Sequence, residues 1–275
     1  MDERQLRHIA DRALEEDLSL VAEKTHDGDY RNQVVNHIVF FIPGIRDQGN
    51  RSDIVTHTLE KEIPTVRVVP IKYDGHFGAI RLFNSFSRKR RRKIVADKIA
   101  PVLSDNSIHR VSFIAHSFGT YLLAESISKL KSTKWHRIIL CGSIVNRKFD
   151  WSTFTSSINN SEIIVLNDCG TRDNWPVYAE SLSDKFSSTG VYGFGGYGVF
   201  DRTHSVKHDG YINEEFIRDY WIDFIKSGLV KKGQDEKPEN HFHNLLVKPI
   251  LRLKHSLPLI IVFLTCAIMY FLLQE

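Results

Sequence analysis

The sequence predicts an α/β domain, a mostly parallel sheet covered by helices on both faces, followed by one C-terminal transmembrane helix. Three observations predict it. Short apolar runs recur between helical stretches over residues 37–227. One of these runs meets a tight turn of small residues and then a helix, at residues 111–131. An uncharged apolar segment, residues 257–273, follows a polar stretch. Strands that alternate with helices pair in parallel, because each helix carries the chain back across a face of the sheet.

The elements follow in order. Residues 5–21 read as an amphipathic helix, with Leu6, Ile9, Ala13, Leu14, Leu18 and Val21 at helical spacing among charges. With its following loop it makes an N-terminal unit at residues 1–30. Ile38-Val39-Phe40-Phe41-Ile42 is a buried-strand pattern closed by Pro43-Gly44. Further strand runs are Val66-Arg67-Val68-Val69-Pro70-Ile71, Val111-Ser112-Phe113-Ile114-Ala115, Ile138-Ile139-Leu140-Cys141 and Ile163-Ile164-Val165-Leu166. Between them lie helical stretches at about residues 51–62, 90–102, 118–131 and 176–186, and a last one at 213–227. The main domain is therefore expected at residues 31–230. Residues 231–256 read as a polar linker and basic juxtamembrane segment, and 257–273 as the membrane helix. At ~1.5 Å per residue that helix reaches roughly 26 Å, the short end for a bilayer core.

A chain of 275 residues, 42% of them hydrophobic, buries a sizeable core, and 25% charged residues is ordinary for a folded protein. The net charge of +4 does not by itself indicate nucleic acid. Its excess is concentrated in the run Arg88-Lys89-Arg90-Arg91-Arg92-Lys93 and in Lys248, Arg252 and Lys254. The run lacks interleaved aromatic residues, so a solvated helix start or a contact with anionic lipid headgroups is expected rather than nucleic acid. Three scattered cysteines, Cys141, Cys169 and Cys266, suit a reducing compartment and show no metal spacing. The N-terminus has no signal-peptide core.

The most informative stretch is Ala115-His116-Ser117-Phe118-Gly119. A serine on a sharp strand-to-helix turn is held above the sheet, and the turn needs small neighbours two residues away on either side. Ala115 and Gly119 meet that need. The helix start supplies positive dipole and free N–H groups, of which the Phe118 N–H would face a developing oxyanion. A serine that merely caps a helix is the plainer alternative.

Over residues 37–227 the sequence resembles the α/β-hydrolase superfamily, the serine esterases and lipases included. The resemblance implies Ser117 as nucleophile and no cofactor or metal. It also implies a second oxyanion donor in the loop after an early strand. Phe41-Ile42-Pro43-Gly44-Ile45-Arg46 stands there, with the Ile45 N–H as donor, although Pro43 replaces the usual His. The family order of serine, acid, histidine puts the acid after the strand near residue 163. Gly170-Thr171-Arg172-Asp173 before Pro176 looks like that acid loop, so Asp173 is preferred and Asp168 is the alternative. The base is then His208 or His204; His208 is preferred because it lies in a polar turn just before the last helix.

The expected activity is ester hydrolysis through an acyl-enzyme, with lipid or acyl esters as substrates. The same triad also cleaves amides, so a peptidase stays open. The competing expectation is a non-catalytic, membrane-tethered interaction module, favoured by the departures at Ala115 and Pro43. The glycine- and aromatic-rich residues 191–200 either wall an acyl pocket or form a structural loop. Lys248, Arg252 and Lys254 precede the apolar span and few charges follow it, which orients the domain to the cytoplasm.

Overall fold

The structure, a computed structural model, describes residues 35–45, 49–73, 85–130, 132, 134–155, 165–196 and 198–234. The expected N-terminal helix, most of the linker and the expected membrane helix at 257–273 lie outside the described residues. Among the described residues, no helix is long and apolar enough to cross a membrane.

Strands β1 (His37–Ile42), β2 (Val66–Pro70), β3 (Arg110–His116), β4 (Trp135–Cys141), β5 (Val165–Gly170) and β6 (Phe200–His204) form one sheet. Its order is β2-β1-β3-β4-β5-β6, and every neighbouring pair is parallel. Helices α1 (Asn50–Glu62), α2 (Ser85–Ser104), α3 (Phe118–Ile127), α4 (Ser152–Thr155), α5 (Trp175–Leu182) and α6 (Thr189–Tyr192) come between strands. After β6 the chain makes one helical rod: α7 (Glu214–Phe216), a π turn (Ile217–Trp221) and α8 (Ile222–Ser227).

The two-residue period of the strands sorts their side chains to two faces. Ile38, Phe40, Ile42, Phe113, Ala115 and Leu140 pack with Val95 and Ile99 of α2 and with Leu122 of α3. Val39, Phe41, Ile114 and Ile139 pack with Val55 and Leu59 of α1 and with Trp221 and Phe224 of the last rod. Both faces are covered, which is why these strands read as unbroken apolar runs. From β1 the chain goes first to β2 on one side and later to β3 on the other. The carboxyl ends of β1 and β3 therefore flank the point where the winding reverses, the place where such sheets open a crevice.

Several elements depart from expectation. The strand expected at residues 163–166 runs over Val165–Gly170, so Asp168 lies inside a strand and not at its end. β6 was not foreseen; its sequence, FDRTH, has a single apolar residue, Phe200, before charged and polar ones, and so offers no apolar run. Among the described residues it pairs with one neighbour, β5, and its Arg202 bonds the buried Asp168. Helix α5 ends at Leu182 rather than near residue 186. The start of the expected linker is tied to β6: Lys231 carbonyl accepts from Arg202, and Gln234 N–H donates to Thr203 carbonyl at 2.8 Å. The basic run opens α2, but it is not uniformly solvated. Arg88 and Arg91 are buried, Arg92 pairs with Glu125, and Lys89, Arg90 and Lys93 are exposed.

One buried charge cluster ties β5, β6 and the last rod together. Asp168 accepts two bonds from Arg202, at 2.6 and 3.0 Å, one from His204 at 2.9 Å and one from Trp221 Nε1 at 2.8 Å. The π turn bears on this, because Arg202 Nη2 also donates to the Tyr220 carbonyl inside it. Burial alone would raise the Asp168 carboxyl; the Arg202 charge and the bonds from His204 and Arg202 outweigh it and hold it at about 2. Its folded value thus lies below the ordinary 3.8, and on acidification the unfolded chain takes up the proton first. The stabilisation is complete above about pH 4 and is lost as the pH falls to about 2. Asp168→Asn leaves the Arg202 guanidinium buried without its counter-charge, so it should cost about 3–5 kcal/mol of stability. Urea unfolding at neutral pH measures this. A loss under about 1 kcal/mol would mean that the cluster is not the clamp described here.

Candidate active site

Ser117 directly follows β3 and has φ 54° and ψ −123°, the only non-glycine positive φ among the described residues. Such a conformation costs of order 1–3 kcal/mol and persists only when its surroundings over-determine it. They do. The Ser117 N–H donates to Cys141 carbonyl at 3.0 Å. The Ser117 carbonyl accepts from Thr120 twice, from N–H at 3.0 Å and from Oγ1 at 2.6 Å. Gly119 is required on steric grounds. A Cβ there would lie 2.1 Å from Ile42 carbonyl oxygen and 2.6 Å from that of Pro43. The helix therefore starts against the end of β1, and the loop after β1 is brought to Ser117.

That loop is itself held, since Tyr73 hydroxyl donates to Pro43 carbonyl at 2.5 Å. A Cβ on Gly44 would sit 3.0 Å from Ser117 Cβ, so the backbone here runs beside the serine. Ile45 and Phe118 both line the cleft around Ser117. The Phe118 N–H opens α3 and has no helical acceptor four residues back, as at any helix start.

Two further loops complete the site from the carboxyl ends of β5 and β6. They are joined by backbone bonds, Thr171 N–H to His204 carbonyl at 2.9 Å and Arg172 N–H to Val206 carbonyl at 3.3 Å. This join brings Asp173 and His208 together. His208 Nδ1 lies 2.8 Å from Asp173 Oδ2, and His208 Nε2 lies 2.9 Å from Ser117 Oγ. A carboxylate only accepts, so Nδ1 carries the proton in the neutral ring. Nε2 is then the acceptor for the Ser117 hydroxyl. Asp173 Oδ1 accepts the Trp175 N–H at 3.0 Å, which fixes the carboxylate at the head of α5. Asp173 is buried, and His208 is 16% exposed, open enough to meet a bound molecule. Gly142, at φ 55°, lies under this pair; a Cβ there would be 3.1 Å from both Asp173 Oδ2 and the His208 ring.

His116 has a part that adjacency to the serine did not reveal. Its Nε2–H donates to His208 carbonyl at 2.8 Å and so holds the loop that carries the imidazole. Its buried Nδ1 has no hydrogen-bond partner among the described residues. Burial, and then the nearby His208, keep its pKa well below the usual value, so it stays neutral. Donor atoms of His116, His208 and Asp209 lie within 4.8 Å of one another. Both His208 nitrogens are already engaged, so a metal there would have to break the contact with Ser117 or with Asp173.

The alternatives Asp168 and His204 are bonded to each other in the buried cluster with Arg202 and Trp221. They stand on the strands β5 and β6, whereas Asp173 and His208 stand on the loops beyond the strand ends. Residues 191–200 do not line the cleft where described; Phe194 packs against Trp151 in the core, 6.0 Å between ring centroids. Gly142 and Thr120 went unnoticed in the sequence. Gly142 follows a strand end directly, and that was the available signal.

A hydroxyl bonded to an imidazole, itself bonded to a buried carboxylate, can lose its proton to the ring while it attacks an electrophile. The order Ser117, Asp173, His208, the elbow, and the loops at the carboxyl ends of a parallel sheet are features of the α/β-hydrolase fold.

No protein-family model matches the chain, and no curated protein matches it. Several solved structures are distantly similar. An uncharacterized protein from Bacillus cereus ATCC 10987 is 11% identical with a TM-score of 0.47, over 77% of this chain and 67% of that one. Esterase PE8 is 13% identical with a TM-score of 0.47, over 71% of this chain and 94% of its own. The Pyrococcus furiosus esterase Pf2001 is 12% identical with a TM-score of 0.41, over 68% and 84%. At this distance they add no weight to the geometry.

Gly119→Ala tests the close approach of β1 and α3. Overpacking against a backbone carbonyl should destabilise the fold by about 1–3 kcal/mol or more. An unchanged denaturation midpoint would show that Ile42 carbonyl does not lie against Gly119.

Proposed function

We propose that this chain is a serine hydrolase that cleaves carboxylic esters through an acyl-enzyme. The observation that carries this reading is the unbroken chain of hydrogen bonds from Ser117 Oγ through His208 to Asp173, with Ser117 on a strained elbow. Ser117 Oγ attacks the ester carbonyl carbon while His208 Nε2 takes its proton. The N–H groups of Ile45 and Phe118 are the donors to the oxyanion, a contribution of about 3–4 kcal/mol for one such donor. The C–O bond to the alcohol then breaks, and the His208 proton goes to the leaving oxygen. Water repeats the sequence on the acyl-enzyme, giving the carboxylic acid and free Ser117. Asp173 keeps the ring in the required tautomer and stabilises its charged form. The intact relay favours an enzyme over a non-catalytic module, whose mark would be displaced Asp173 and His208 side chains.

The membrane tether belongs to the same proposal and rests on the sequence of residues 257–273. The preceding cations, Lys248, Arg252 and Lys254, support a hydrolase domain on the cytoplasmic side. Exposed Lys89, Arg90 and Lys93 are the side chains that would meet anionic headgroups.

Ser117→Ala should abolish fluorophosphonate labelling and lower kcat for a p-nitrophenyl ester about 10⁴-fold or more, with circular dichroism unchanged. Asp173→Asn and His208→Ala should each lose about 10³–10⁴-fold. His204→Ala should lose stability while the folded fraction keeps its turnover. Full turnover in folded Ser117→Ala, or a larger loss in His204→Ala than in His208→Ala, would remove the assignment. The full chain should resist carbonate extraction from membranes; its release would rule out an inserted helix.

A further inference from the structure

Helix α5 exposes an apolar face. Six large apolar side chains are strongly exposed among the described residues: Phe86, Trp175, Tyr178, Leu182, Phe200 and Leu229. Three of them, Trp175, Tyr178 and Leu182, belong to this one short helix, and they fall at i, i+3 and i+7. That spacing puts them on one face. The opposite face is already satisfied, with Pro176, Val177 and Ser181 buried against the domain. Apolar area exposed in this way costs free energy in water.

Its position says what covers it. The same three side chains, with Ala179, line the cleft that holds Ser117 and His208. The cavity is about 170 Å³, and Ile144 and Phe186 extend the apolar lining. The Trp175 ring lies 6.2 Å from the His208 ring, and the Tyr178 ring lies 6.0 Å from that of Trp175. The stripe thus begins beside the reacting atoms and leads away from them. At ~1.5 Å rise per residue it runs about 10 Å, the reach of an extended chain of about eight carbons.

We propose that the exposed face of α5 is the acyl-chain subsite, with Trp175, Tyr178 and Leu182 receiving the hydrocarbon chain of the ester whose carbonyl Ser117 attacks. The inference rests on the ester-hydrolase reading and deepens it, naming medium-chain acyl esters as the substrate class. An acyl chain attached to the carbonyl meets this stripe directly, and each methylene that it covers leaves water. The subsite is also joined to the relay. Asp173 Oδ1 accepts the Trp175 N–H, and Asp173 Oδ2 bonds His208, so the head of α5 and the imidazole share one carboxylate.

The test uses the full chain and p-nitrophenyl acetate, butyrate, octanoate and laurate. The expected result is that kcat/KM rises at least tenfold from acetate to octanoate and no further for laurate. In Tyr178→Ser/Leu182→Ser, exposed positions whose change spares the core, the octanoate-to-acetate ratio should fall at least fivefold. Tyr178→Phe/Leu182→Met should restore it. Turnover with no chain-length preference, or the same ratio in the serine variant as in the wild type, overturns the subsite and leaves the hydrolase reading standing. If no ester is turned over and a fluorophosphonate probe fails to label Ser117, the hydrolase reading falls, and this inference falls with it.

Discussion

The left-handed backbone at Ser117 is the constraint on which the rest of the site depends. The turn is stable because three groups oppose its relaxation: Cys141 carbonyl, Thr120 N–H and Thr120 Oγ1. The same turn demands that α3 start against β1, which only Gly119 permits. From that one approach follow the nearness of Gly44 and the opening of the cleft where the winding of the sheet reverses.

Two carboxylates close together in sequence illustrate how environment separates roles. Asp168 faces a guanidinium, an imidazole and an indole, all buried, and every one of its bonds joins neighbouring elements of the fold. Asp173 lies a short loop further on, beyond the strand end. It shares its two oxygens between a helix start and an imidazole that reaches solvent on its far side. A carboxylate surrounded by donors is stabilising where it stands, and one that leaves a nitrogen lone pair facing a cleft is available for chemistry. His204 and His208 divide in the same way, one between the rings of Phe216 and Tyr220, the other beside Ser117.

Charge on this molecule is also partitioned by burial. Six consecutive cations open α2, yet Arg88 and Arg91 turn inward, and Tyr121 takes a hydrogen bond from Arg88. The helical period makes this unavoidable, since six successive residues go more than once around the axis. What a linear reading treats as one basic patch is a narrower exposed row of Lys89, Arg90 and Lys93.

The sequence by itself determined the class of fold and the elbow. Apolar runs such as Ile38-Val39-Phe40-Phe41-Ile42 need burial on both faces, and a small-residue turn between a strand and a helix leaves little choice of backbone. It also narrowed the acid and the base to two residues each. It preferred Asp173 and His208 from their place in the chain, but the contacts that separate each pair come from neighbours far along the chain. Arg202 and Trp221 claim Asp168, which in turn holds His204, and the backbone bonds of Thr171 and Arg172 draw Asp173 to His208. The polar strand β6, the support given by His116 and Gly142, and the seat of residues 231–234 on β6 were illegible for the same reason. Periodicity reports what a segment buries, whereas hydrogen bonds between distant segments exist only once the chain has folded.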